Sequence, residues 1–232
     1  MITYQVYKNE NNRKSLLLIH GWNTSELYME MFIKPFKNEY NIVNLNLFKN
    51  IDKAYSLDDY IEEIHQIVEE NLNGELFIIG HSFGGKIAYF YSQKYLVSGL
   101  VLIAPSLIKP RTNLITKFKI KLYKFFKRRN LKIPKTLLGS NDYQKAKGKM
   151  KETFLKCVNV YLTKVDYNHP KTLVFGFNND QQVKKYQIKR IKKYLPSSKI
   201  IFYHGDHFSY LDQIKEITLE INAYFNGNIE NN

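Results

Sequence analysis

The chain has 232 residues, enough for one domain with a substantial core, and its hydrophobic content of 44% excludes an intrinsically disordered protein. The single cysteine, Cys157, excludes an internal disulfide, and no apolar run reaches the roughly 18 residues of a transmembrane helix. The formal net charge is +14, and its placement excludes a generally basic protein: 16 Lys and Arg against only Asp142 and Glu152 lie between Lys109 and Lys156, whereas elsewhere 19 basic residues balance 19 acidic ones.

The opening stretch, MITYQVYKNENNRKS, lacks the apolar run of a signal peptide, so the expected location is the cytoplasm. Ser15–Ile19 is then a short apolar run, long enough only for a buried strand, and it ends at His20-Gly21. Ile42–Leu47 alternates apolar and polar residues, as a strand does. Ser56-Leu57-Asp58-Asp59 reads as a capping box opening a helix, with Tyr60, Ile61, Ile64, Ile67 and Val68 at helical spacing and Asn73-Gly74 ending it. Leu76–Ile79 is a second buried strand, Phe83–Tyr95 a helix and Leu100–Ala104 another strand. After an interruption the alternation resumes with a strand at Thr172–Phe175, a helix over about 182–194, a strand at Lys199–Tyr203 and a helix over about 210–225. Continuous apolar strands alternating with helices predict an α/β fold with a mostly parallel central sheet covered on both faces. Chemistry in such folds is expected in the loops that follow the strands.

The interruption spans 106–168 and holds the whole of the charge excess. Leu114, Ile115, Phe118, Leu122, Phe125 and Phe126 form one stripe if the segment is helical, with Lys117, Lys121, Lys124 and Arg128 on another face. The alternation Phe118, Ile120, Leu122 would also suit a strand. Met150, Phe154, Val158 and Leu162 keep helical spacing, so the segment reads as a small helical insertion between core segments 1–105 and 169–232.

Between the Leu76–Ile79 strand and its helix the chain reads Gly80-His81-Ser82-Phe83-Gly84. Gly-x-Ser-x-Gly at a strand-to-helix turn is the signature of a nucleophile elbow, in which a strained turn presents the serine and needs small neighbours at Gly80 and Gly84. A Gly/Ser turn without chemistry is the bland reading, and only partners elsewhere can decide. A serine nucleophile needs a histidine base and an orienting acid. Two histidines follow the Lys199–Tyr203 strand; His207 has the loop length to swing back over the sheet edge, and His204 competes with it. His169 stands at the wrong end of its strand. Asp180, in the loop after Thr172–Phe175, is the expected acid, with Asp206 the competitor. The oxyanion hole calls for the amide after the nucleophile, Phe83, and one from an earlier strand-end loop, for which Trp22 of Leu18-Ile19-His20-Gly21-Trp22 is the candidate. His20 and His81 read as structural.

Together, His20-Gly21-Trp22, Gly80 to Gly85, the Asp180 loop and Gly205-Asp206-His207-Phe208 make the chain resemble the α/β-hydrolase family over roughly residues 3–226. It is most similar to small bacterial serine hydrolases with a helical cap, among them carboxylesterases and lysophospholipase-like proteins. The resemblance implies a triad of Ser82, Asp180 and His207, and a cap between the sixth and seventh strands, where 106–168 falls. The family usually has two residues between the strand-end glycine and the acid, whereas Gly176 and Asp180 are separated by three, which makes Asn179 the misaligned alternative. It also implies cleavage of an acyl ester; serine at the elbow disfavours the dehalogenases and epoxide hydrolases of the fold, which use aspartate there. A carbon–carbon bond hydrolase with the same triad, or a ligand-binding protein on the same fold, are the alternatives. No cofactor or metal is expected, since no His or Cys cluster has ligand spacing. The basic cap admits three readings: attraction of an anionic substrate, docking on an anionic membrane surface, or a solvated face. Nucleic-acid binding, suggested by the Lys/Phe/Tyr alternation near residue 120, is disfavoured beside the triad.

Overall fold

The computed structural model describes residues 1–9, 11–111, 114–129, 131, 132, 134 and 141–226. Seven strands form one sheet: β1 (Thr3–Tyr7), β2 (Lys14–Ile19), β3 (Tyr40–Asn46), β4 (Glu75–His81), β5 (Gly99–Ile103), β6 (Lys171–Phe177) and β7 (Lys199–Tyr203). Their order is β1-β3-β2-β4-β5-β6-β7, with every neighbouring pair parallel except β1 and β3. The six strands expected from apolar runs are all present. β1 is additional: its residues alternate half-buried and exposed at the sheet edge, so it lacks the continuous apolar run that marks the inner strands.

The helices are α1 (Ile33–Phe36), α2 (Leu57–Asn71), α3 (Phe83–Ser92), α4 (Leu114–Arg128), α5 (Asn141–Lys145), α6 (Gly148–Cys157), α7 (Lys185–Ile191) and α8 (Ile214–Asn226). Period-two alternation divides the core between the two faces of the sheet. Leu17, Ile19, Ile78, Leu100 and Val174 pack with Tyr60 and Ile64 of α2, Ile87 of α3 and Ile188 of α7. Leu16, Leu18, Ile79, Val101 and Phe175 pack on the other face with Phe32, Phe36 and the α8 residues Ile217 and Ile221. Each such side chain contributes about 1.5–3 kcal/mol on burial. The capping box opens α2: Asp59 N donates to Ser56 Oγ at 3.1 Å and Ser56 N to Asp59 Oδ2 at 2.7 Å.

The chain between β5 and β6 holds α4, α5 and α6. With seven strands in this sheet, the insertion expected between the sixth and seventh strands of the family follows the fifth strand in chain order. α4 is helical, which resolves the helix-or-strand ambiguity. α6 ends at Cys157, so Val158 caps it and Leu162 lies in the following coil, where its amide donates to Leu107 O at 2.9 Å and closes the insertion at its base. α6 is fastened to the core: Thr153 Oγ1 accepts from Tyr55 N at 2.9 Å, and Lys156 Nζ donates to Ala54 O at 2.8 Å. Among the described residues, no helix is long and apolar enough to cross a membrane.

The register aligns the carboxyl ends of the strands, with Ile19 beside Gly80, His81 beside Ile103 and Phe177 beside Tyr203. The loops after β2, β4, β5, β6 and β7 therefore open along one edge of the sheet.

Candidate active site

Ser82 sits between β4 and α3 with φ of +52° and ψ of −108°, the strained geometry of a sharp strand-to-helix turn. Its amide donates to Ile103 O at 2.8 Å and its carbonyl accepts from Lys86 N and Ser106 N, each at 3.1 Å, so the turn is held from both sides. The two elbow glycines are sterically required. A Cβ on Gly80 would meet Gly84 O at 2.6 Å, and one on Gly84 would meet Ile19 O at 2.2 Å. Among the described residues, the non-glycine positions with positive φ are Asn23, Ser82 and Ala104, and all three lie in the segments that follow β2, β4 and β5 along this edge. Strain concentrated at one edge is what a functional site leads one to expect.

Asp180 and His207 meet across the β6 and β7 loops. His207 Nδ1 donates to Asp180 Oδ2 at 2.7 Å, and both side chains are almost fully buried. Asp180 Oδ1 accepts from Gln182 N at 2.7 Å and Val183 N at 2.9 Å, which fixes the carboxylate. The imidazole proton is thereby held on Nδ1, and Nε2 takes no partner among the described residues. The competitors lie elsewhere. His204 is exposed and its Nε2 is near Asn179 Nδ2 at 3.4 Å. Asp206 is exposed and accepts from Phe208 N and Ser209 Oγ within its own turn. Asn179 is exposed, its amide donating to Gly205 O at 2.9 Å. Beside β6, His169 is tied to Pro170 O, Thr172 Oγ1 and Ser197 Oγ at the amino end of the sheet.

His20 and His81 support the site from beneath. Leu47 N donates to His20 Nε2 at 2.9 Å, which requires that nitrogen to be unprotonated, while Nδ1 faces Gly21 O at 2.8 Å. Burial lowers the His20 pKa to about 4, so the ring is neutral. His81 is fully buried, donates from Nε2 to His207 O at 3.0 Å and packs its ring 4.7 Å from the His207 ring. Burial holds it well below the ordinary histidine range, with His207 second. His81 therefore anchors the backbone of the His207 loop to the residue that precedes Ser82. The backbone amides of Trp22 and Phe83 carry no intramolecular acceptor among the described residues. The Trp22 ring packs edge-on against Phe48, Phe83 and Phe154.

A cavity of about 250 Å³ opens over Ser82, walled by Trp22, Phe83, Phe154, Val158 and Tyr161, and α6 of the insertion supplies part of this wall. Lys86, four residues past Ser82 on α3, also lines it and is buried. In the sequence Lys86 is marked only as a lone charge inside the apolar run Gly85-Lys86-Ile87-Ala88-Tyr89. Of the basic residues expected to bind anions, Lys121, Lys124 and Arg128 are exposed on α4 and do not line the Ser82 cavity, and the Lys117 side chain lies outside the described residues. Among the described residues, no group of three or more His, Cys, Asp or Glu is placed to hold a metal.

Residues 51–189 match the model of the Hydrolase_4 family, described as serine aminopeptidase, S33. The chain is 26% identical over 158 residues to Epoxide hydrolase 4 of Mus musculus, covering 62% of this chain and 44% of that protein, so it spans less than half the length of this curated relative. Among solved structures it is similar to MenH from S. aureus, with a TM-score of 0.68, 16% identity and coverage of 97% and 98% of the two chains. It is similar also to an esterase from Exiguobacterium antarcticum, with a TM-score of 0.69, 13% identity and coverage of 97% and 95%. At these identities the structural likeness establishes the fold.

Proposed function

The chain belongs to the serine aminopeptidase S33 (Hydrolase_4) family of α/β-hydrolases, and from that premise we propose that it cleaves a carboxylic ester through an acyl-enzyme formed on Ser82. The observation that carries this reading is the 2.7 Å hydrogen bond from His207 Nδ1 to Asp180, made in the same strand-end edge that bends Ser82 to positive φ.

In the proposed cycle the Ser82 oxygen attacks the ester carbonyl as its proton passes to His207 Nε2. The tetrahedral oxyanion accepts hydrogen bonds from the Trp22 and Phe83 amides, each donor being worth about 2.7–4 kcal/mol in the transition state. His207 then gives its proton to the leaving alkoxide, which departs as the alcohol. Water, deprotonated by His207, attacks the acyl-enzyme, releases the acid and returns the proton to Ser82. Asp180 keeps the imidazole in the Nδ1–H tautomer and stabilises the imidazolium. The curated relative is called an epoxide hydrolase, but this chain carries serine at the elbow, which favours an acyl-enzyme over opening of an epoxide.

The test is hydrolysis of 4-nitrophenyl esters from acetate to palmitate, with aminoacyl 4-nitroanilides as comparators, by the wild type and Ser82→Ala. The expected loss in kcat is about three orders of magnitude or more, with fluorophosphonate labelling confined to Ser82. Turnover that survives in Ser82→Ala would sink the reading.

A second reading concerns the outer part of the insertion. On α4 the apolar Phe118 and Phe125 are exposed, and Lys121, Lys124 and Arg128 flank them. An apolar stripe bordered by cations suits an anionic lipid surface, which would place the protein at the inner face of a membrane.

A further inference from the structure

Among the described residues, Lys86 is the one basic residue that lines the Ser82 cavity. Nζ donates to Cys157 O at 3.2 Å and Val158 O at 3.5 Å, at the carbonyl end of α6, and lies 4.8 Å above the Tyr161 ring. Among the described residues, the three N–H donors of this ammonium have two oxygen acceptors, and the Tyr161 ring faces the cation. None of the ion pairs among the described residues involves Lys86. A buried cation without a carboxylate partner is costly, and burial lowers its pKa to about 8. At pH 7 it remains mostly protonated.

A second observation points the same way. A wider groove of about 1030 Å³ shares Ile108, Pro110 and Tyr161 with the Ser82 cavity, and among the described residues its lining includes Lys109, Arg111 and Arg190 but no acidic residue. The groove that adjoins the Ser82 cavity is thus cationic, and the cavity itself is lined by a buried lysine. Such an arrangement raises the local concentration of anions and rewards a ligand that brings its own negative charge to Lys86.

Resting on the serine-hydrolase reading above, the geometry points to an ester with an anionic group, carboxylate or phosphate, seated on Lys86 while its carbonyl faces Ser82. Lys86 is then a specificity-determining residue and takes no part in proton transfer. The competing role is structural, a lysine that only caps α6 and holds the insertion in place.

Binding separates the two, measured by calorimetry with the non-hydrolysing Ser82→Ala protein so that no turnover is needed. One matched pair, 4-nitrophenyl hemisuccinate and 4-nitrophenyl butyrate, places the charge on the acyl part. A second, 1-butyryl-glycerol 3-phosphate and 1-butyryl-glycerol, places it on the alcohol. The expected result is that in at least one pair the anionic member binds about tenfold or more tightly, the size of one charge-assisted hydrogen bond. Lys86→Gln, which can still donate to the α6 carbonyls, should abolish that preference while leaving the neutral member within about threefold; Lys86→Met should do the same if it folds. The proposal is overturned if neither pair shows a preference, or if the preference persists in Lys86→Gln. Fluorophosphonate labelling of the wild type reports on Ser82 separately, so failure of the anion site and failure of the serine-hydrolase reading give different results.

Discussion

In the proposed mechanism, Asp180 is where one atom's identity decides the chemistry. Asp180→Asn keeps an oxygen for the Gln182 and Val183 amides but turns an amide N–H toward His207, so the imidazole proton must move to Nε2, the nitrogen that should receive the serine proton. kcat is expected to fall by about three to four orders of magnitude, with the thermal midpoint little changed, whereas Asn179→Ala should alter kcat less than about twofold. A larger loss at Asn179 would mean that the acid has been assigned to the wrong residue. The placement of Ser82, Asp180 and His207 after successive strands was legible in the sequence because each follows an apolar run. The extra residue before Asp180 was not interpretable there. The structure absorbs it by extending the pairing beyond β6 and β7, with Asn178 N donating to Tyr203 O at 3.0 Å and Asn179 N to Gly205 O at 2.9 Å. His20 offers a different test. Its folded pKa of about 4 lies below the unfolded value near 6.5, so the unfolded chain binds the proton first. The stability is intact above pH 6.5 and is lost as pH falls toward 4, by about 3 kcal/mol from this group alone. Urea midpoints measured across that range should drop for the wild type and drop less for His20→Gln; parallel slopes would refute the assignment.

At the scale of elements, the insertion is unevenly attached. α6 buries Thr153 and Cys157 and closes over the Ser82 cavity, whereas α4 exposes Phe118, Ile120 and Phe125. Thr153→Val keeps the shape of the side chain but leaves the Tyr55 amide without its acceptor. The expected cost is about 1–3 kcal/mol, the desolvation penalty of a buried orphan donor. Hydrogen exchange should be accelerated at the Tyr55 amide and along α6 and unchanged in β4 and β5; uniform acceleration would show instead that α6 and the core open as one unit. Helical spacing identified α6 but not its end, because Leu162 continues the apolar period although it packs from coil. β1 and the short α1 are not legible in the sequence, for opposite reasons. β1 alternates too weakly at an edge, and α1, a single turn, is too short to show a period even though Ile33 and Phe36 are buried. β1 is determined by its pairing with β3 and α1 by the sheet face that Ile33 and Phe36 cover, both properties of the assembled fold.

For the whole molecule, the decisive property is that the charge is segregated. A near-neutral core carries an insertion whose basic residues outnumber its acidic ones by 14 between Lys109 and Lys156. That asymmetry was plain from the sequence, but its division was not: Lys109 and Arg111 line the groove beside the cavity, while Lys121, Lys124 and Arg128 stand exposed on α4. The two groups should therefore respond to different ligands. If α4 meets anionic lipid, each cation near the surface contributes about 1 kcal/mol, and Phe118 and Phe125 add an apolar contribution that salt does not screen. The triple substitution Lys121→Gln, Lys124→Gln, Arg128→Gln should then weaken partitioning onto phosphatidylserine vesicles by about a hundredfold. Hydrolysis of a soluble ester should stay within about twofold, because none of the three lines the Ser82 cavity. Binding should weaken with rising salt but persist in part through the two phenylalanines. Vesicle co-sedimentation at low and high salt checks this directly. Equal binding by wild type and triple variant would show α4 to be a solvated face and leave the groove as the part of the insertion whose charge has a ligand.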